Sequence, residues 1–140
     1  MDPRRTLTAF DAYLAGRALR LEAVVIGGAA LNLLGVVARP TRDCDILVPA
    51  LAPAITEAAR AFAAEMRTAG DTLQDDWLNN GPASLARELP DGWRDRLQPL
   101  FSGAALELRA LGRSDLLRTK LFALCDRGLD LGDCLALHFL

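Results

Sequence analysis

The run Glu22-Ala23-Val24-Val25-Ile26, ending at once in Gly27-Gly28, constrains the fold more than any other stretch of the chain. It is short, β-branched and apolar, which predicts a buried strand that breaks into a glycine turn. Residues 29–34 then predict a short helix that Gly35 terminates. After the polar turn Arg39-Pro40-Thr41-Arg42, the segment Asp43 to Val48 has the length and apolar content of a second strand, which Pro49 stops. Strand, glycine turn, helix, strand is thus the first unit of the fold.

The remaining elements arrange themselves around that unit. Asp2 is placed to cap an opening helix with Pro3 in its first turn, and Leu7, Phe10, Leu14 and Ala18 carry helical spacing to about Leu19. Residues 52–66 predict a third helix, apolar at Ile55, Ala59, Phe62 and Met66, packed across the sheet. From Gly70 to Gly103 turn signals dominate, and the assignment there is loose; both tryptophans, Trp77 and Trp93, fall in this stretch and are expected in the core or an interface. Residues 104–111 alternate apolar with polar and read as a strand whose polar face carries Glu107 and Arg109. Ser114 starts a helix to about Cys125, and Leu129 to Leu140 reads as a final core helix. At 140 residues the chain predicts one domain, residues 1–140, of α+β or α/β type, with no internal repeat.

Charge and apolar run length limit the function classes. The formal net charge is −2 and the isoelectric point about 5.3, so no overall positive field recruits nucleic acid, and an RNA substrate would need a local basic patch. No apolar run approaches the roughly 18 residues that cross a bilayer, and Met-Asp-Pro-Arg-Arg has no signal-peptide core, which predicts a cytoplasmic protein without membrane contact. Cys44, Cys125 and Cys134 are odd in number and match no metal spacing, so free thiols are expected. His138 is the sole histidine, which excludes histidine-rich zinc chemistry.

Chemistry concentrates at Asp43 and Asp45. Acids at i and i+2 on a strand share a face, with Cα atoms about 6–7 Å apart, while Cys44 turns inward. Such a pair suits magnesium, which takes one or two carboxylates and completes its shell with water and substrate phosphate. Gly27 and Gly28, between strand and helix, let backbone amides approach a phosphate, and Thr41 and Arg42 add a hydroxyl and a guanidinium at the same mouth. Each signal also has an inert reading. A lone Gly-Gly is usually a turn, and Lys120, Asp126, Arg127, Asp130 and Asp133 also fit a salt-bridged helix face. Gly27-Gly-Ala-Ala is not G-x-G-x-x-G, so a dinucleotide-binding oxidoreductase is excluded.

Gly27-Gly28, followed by Arg39-x-Thr41-x-Asp43-x-Asp45-Ile-Leu, resembles the signature of minimal nucleotidyltransferases, the group that includes polymerase β-like enzymes and toxins of the AbiEii and MenT type. Asp115-Leu-Leu-x-x-Lys120 with Asp126-Arg127 and Asp130-x-x-Asp133 is similar to the later helices of bacterial members, some of which also carry a segment like Trp77-Leu78-Asn79. The resemblance implies a polymerase β-like mixed sheet flanked by helices. It also implies magnesium-dependent transfer of a nucleoside monophosphate from a nucleoside triphosphate to a tRNA end or a protein hydroxyl, in a toxin–antitoxin or phage-defence setting with a cognate partner protein. By that carry-over Asp43 and Asp45 bind metal, Glu107 supplies the third catalytic carboxylate, and Gly27, Gly28, Thr41, Arg42, Lys120 and Arg127 hold the nucleotide. The second glycine stands where many members carry serine, which removes a side-chain donor. A second reading is a catalytically inactive module of the same fold that binds nucleotide or a partner protein.

Overall fold

The computed structural model of the chain describes residues 1–119, which build one mixed sheet with helices against it. In chain order these are α1 (Pro3–Ala15), β1 (Leu21–Ile26), α2 (Gly27–Leu33), β2 (Cys44–Val48), α3 (Pro53–Thr68), β3 (Leu78–Asn79), β4 (Gln98–Ser102) and β5 (Leu106–Ala110). Two 3-10 turns, Ala83–Glu88 and Trp93–Arg96, lie between β3 and β4, and residues 113–119 are helical. The first turns of the helix expected from Ser114 are thus present, while its continuation toward Cys125 and the expected helix from Leu129 to Leu140, with Cys134 and His138, lie outside the described residues.

The strand order is β3-β2-β1-β5-β4. β1 runs antiparallel to β2 and parallel to β5, while β3 is parallel to β2 and β4 antiparallel to β5. The first strand therefore sits at the centre, which explains its apolar run: Val24, Val25 and Ile26 are buried on both faces of the sheet. β4, absent from the sequence reading, occupies an edge and contains Pro99, which only an edge strand or a bulge tolerates; the ladder shifts register between Pro99 and Phe101. Its turn into β5 is tied down from far away in sequence. The Asp11 carboxylate accepts backbone hydrogen bonds from Ala104, Ala105 and Leu106 at 2.8–3.2 Å.

Boundaries moved where local chemistry overrode periodicity. α1 stops at Ala15 rather than near Leu19, because Gly16 closes it and Ala18 turns with φ 55°. Asp2 caps it as expected, accepting from the Arg5 amide. α2 begins at Gly27 itself, without an intervening turn, since Gly27 takes up φ +79° and enters the helix directly. α3 runs two residues beyond the expected end at residue 66.

The two sheet faces bury different material. Against one face, α1 and α3 enclose Phe10, Phe62 and Trp77, with Phe10 meeting Trp77 edge-on at 5.0 Å between ring centres. Trp77 is fully buried, and its indole Nε1 donates to Ala59 O at 3.0 Å, so this core tryptophan keeps its polar group satisfied. The other face carries Val24, Ile26, Leu47, Trp93, Leu111 and Leu116. There Asp115, buried at the start of the last described helix, is gripped by Arg96 through Nε to Oδ2 at 2.9 Å and Nη2 to Oδ1 at 3.1 Å. That fork joins the second 3-10 turn to the helix over residues 113–119.

Candidate active site

The described part of the site forms where β1 ends and β2 begins. Antiparallel pairing sets Ile26 opposite Asp45, so the glycines that follow Ile26 run alongside the residues that precede Asp45. Cys44 and Ile46 point into the aromatic core, which leaves Asp45 on the opposite face, the one shared with Ile26 and Val24. Asp43 stands one residue before the strand and is half-buried.

Both glycines are fixed by what lies beside them. A Cβ on Gly27 would stand 2.9 Å from Asp45 Oδ2, and one on Gly28 would stand 3.1 Å from Thr41 Oγ1. The acid and the hydroxyl therefore lie close against the backbone of the glycine pair, and a side chain at either position would displace them. Thr41 Oγ1 also donates to Asp43 O at 3.1 Å, and Met1 and Thr41 exchange two backbone hydrogen bonds, so the approach to Asp43 is held from two sides. Ile26 gives α2 no side-chain cap.

β3 completes the described site. It places Asn79 opposite Asp45, and the Asn79 amide Nδ2 donates to Asp45 Oδ1 at 3.2 Å while its Oδ1 accepts from Gly81 N at 2.8 Å. Next to it, Asn80 Nδ2 donates to Ile46 O and Pro49 O, and its Oδ1 accepts from Leu51 N at 2.7 Å. Two consecutive asparagines thus lock both ends of β2. Asp76 approaches Asp43 closely enough that its charge acts on it. Burial pushes the Asp43 carboxyl above its ordinary value, Arg42 opposes that shift, and Asp76 adds to it.

The structure brings together Gly27, Gly28, Thr41, Arg42, Asp43 and Asp45. It does not bring Glu107 to them. Glu107 lies in register with Glu22, four residues back along β1 from the Ile26–Asp45 pair, or about 13 Å at the usual strand rise. Its carboxylate instead accepts from Ser102 Oγ at 2.7 Å on β4. The alternation of residues 104–111 gave Glu107 its face correctly but not its level, because level depends on the β1–β5 register. Lys120, Asp126, Arg127, Asp130 and Asp133 lie outside the described residues. Among the described residues no group of three or more His, Cys, Asp or Glu side chains is placed to hold a metal. Asp43 and Asp45 are the carboxylates here that could hold magnesium, an ion that takes one or two and draws the rest of its shell from water and substrate phosphates. Asp76 and Asn79 were not singled out as site residues from sequence; Asn79 appeared only within the Trp-Leu-Asn segment, and nothing local ties either to β2.

No curated protein and no solved structure matches this chain. The family described as "Nucleotidyltransferase of unknown function (DUF6036)" matches residues 5–135, which include both glycines, both acids, Asn79 and Asn80. Together with a five-stranded mixed sheet flanked by helices, that match over most of the chain establishes that it belongs to the DUF6036 family of nucleotidyltransferases of unknown function.

Proposed function

We propose that the protein is an active, magnesium-dependent nucleotidyltransferase that moves a nucleoside monophosphate from a nucleoside triphosphate to an acceptor hydroxyl. The observation that carries this reading is the approach of Asp45 to Gly27, where a Cβ would stand 2.9 Å from Asp45 Oδ2 at the junction of β1 and α2. A glycine at this point leaves room for a phosphate-bound cation between the carboxylate and the backbone.

In this reading Asp43 and Asp45 hold magnesium, which when bound neutralises triphosphate charge and orients the α-phosphate. Gly27 and Gly28 admit the phosphates to the backbone, and Arg42 and Thr41 line the entrance. The acceptor oxygen forms a bond to the α-phosphorus, and the bond from that phosphorus to the bridging oxygen breaks. Pyrophosphate leaves with the electron pair, and the hydroxyl proton passes to the carboxylate pair and on to solvent. Asn79 keeps one Asp45 oxygen engaged, so the other is the one presented beside Gly27. Lys120 and Arg127 are proposed triphosphate contacts on the strength of the family motif. A cytoplasmic toxin–antitoxin or phage-defence role remains a proposal by analogy with similar bacterial proteins.

The test is incorporation of label from each α-labelled nucleoside triphosphate with magnesium, into total tRNA and into protein. Transfer by the wild type that vanishes in Asp43→Asn/Asp45→Asn establishes the activity. A folded wild type that transfers no label and yet binds nucleotide defeats it in favour of the inactive module.

A further inference from the structure

On the sheet face that carries Asp45, a cleft of about 380 Å³ opens between β1, β2, β5 and the second 3-10 turn. Val24, Val48, Pro49 and Leu97 give it apolar walls, and Glu22, Glu107, Arg94 and Arg109 supply charge. Its position follows from register. Val24 pairs with Val48 on one side and Arg109 on the other, two residues along β1 from the Ile26–Asp45 pair, or about 6–7 Å. The cleft therefore begins where the reacting group of a bound acceptor would end.

The charges in it are not equally committed. Glu107 accepts from Ser102 Oγ at 2.7 Å, and Glu22 lies 3.9 Å from Arg20. Among the described residues, by contrast, neither Arg94 nor Arg109 forms an ion pair; Arg94 stacks over the Trp93 ring at 4.6 Å, and Arg109 has no hydrogen-bonding partner. The cleft thus carries two guanidiniums that no described carboxylate pairs with, and two carboxylates side by side at the Glu22–Glu107 level. Two guanidiniums beside an apolar wall recognise an oxyanion such as phosphate in bidentate fashion.

We propose that this cleft is the acceptor subsite of the transferase, a step that rests on the reading above, and that it takes a small hydroxyl-bearing molecule with one phosphate group. Arg109 and Arg94 hold the phosphate, and the hydroxyl points along β1 toward Asp45. A polynucleotide is disfavoured on two counts. The cleft has the volume of a small-ligand site, and the Glu22–Glu107 pair at its far end repels the next phosphate of a continuing backbone.

The test is calorimetric titration of ribose 5-phosphate into the full chain without magnesium or nucleotide, in wild type, Arg94→Gln/Arg109→Gln and Arg109→Lys. The proposal expects the double glutamine variant to bind at least about tenfold more weakly and Arg109→Lys to fall between. Unchanged binding in the double glutamine variant overturns it, since the phosphate then sits elsewhere. So does a ten-nucleotide single-stranded RNA that binds through the same arginines more tightly than ribose 5-phosphate. If arginine-dependent binding persists while the wild type transfers no label from any nucleoside triphosphate, the anion site stands and the transferase reading alone falls.

Discussion

Asn79 Nδ2 donates to Asp45 Oδ1 at 3.2 Å across the β2–β3 pair, so the carboxylate nearest Gly27 is oriented by a residue from a two-residue strand. Groups that orient a metal-binding carboxylate commonly change metal affinity or activity by about 10–100-fold when removed. Asn79→Ala is expected to weaken magnesium-dependent nucleotide binding by that order while leaving the far-ultraviolet circular dichroism unchanged. Calorimetric titration of nucleoside triphosphate with and without magnesium checks it, and equal affinities for variant and wild type would sink the positioning role.

Gly27 takes φ +79° and faces Asp45 Oδ2 at 2.9 Å from its would-be Cβ. Gly27→Ala therefore forces a left-handed alanine, at about 1–2 kcal/mol, and displaces the carboxylate as well. The expected result is a modest fall in melting temperature with loss of metal-dependent nucleotide affinity. Gly35 also has positive φ but nothing within 4 Å, so Gly35→Ala should show the stability loss alone. Comparison of the two variants separates strain from site damage.

Asp43 is pushed upward chiefly by burial, is lowered by Arg42, and is raised further by Asp76. A raised carboxyl holds its proton to higher pH, so metal-dependent binding should fail on acidification earlier than an ordinary aspartate would dictate. The folding linkage has the matching sign: the charged form costs stability above the folded pKa, and that cost disappears as pH falls through it. Asp76→Asn should move the acid limb of binding to lower pH and Arg42→Gln to higher pH. Limbs that move the opposite way would refute the arrangement.

Cys44 is fully buried between two acids, and burial first, with Asp45 and Asp43 behind it, pushes its thiol up to about 12. The thiolate is the reactive form, so Cys44 should resist iodoacetamide in the folded protein at pH 8 and label only on unfolding. Peptide mapping by mass spectrometry reads this directly; rapid labelling of the native chain would contradict the burial.

Trp77 packs with Phe10 and Phe62 and bonds Ala59 O at 3.0 Å. Trp77→Ala should cost about 3–5 kcal/mol, measured by urea unfolding. Trp77→Phe retains much of the packing but loses the indole bond, and should cost about 1–3 kcal/mol. A shift within measurement error for the alanine variant would contradict the core assignment.

The sequence by itself determined the central strand, the glycine entry to α2, the acidic strand and α3, because each announces itself through contiguous residues: β-branched runs, a glycine pair, a helical apolar stripe. It also grouped Asp45 with Gly27 and Thr41 with Gly28, which the antiparallel return of β2 along β1 sets side by side. What only the tertiary structure decided was everything set by register between distant segments. β3 and β4 are short or carry proline and show no periodicity of their own; they exist because β2 and β5 offer edges to pair with. Asn79 reaches Asp45 from 34 residues away. Glu107 was assigned the right face, yet the parallel alignment of β5 with β1 sets it beside Glu22. Alternation fixes which side of a sheet a residue faces, and only the pairing of strands fixes how far along it that residue stands.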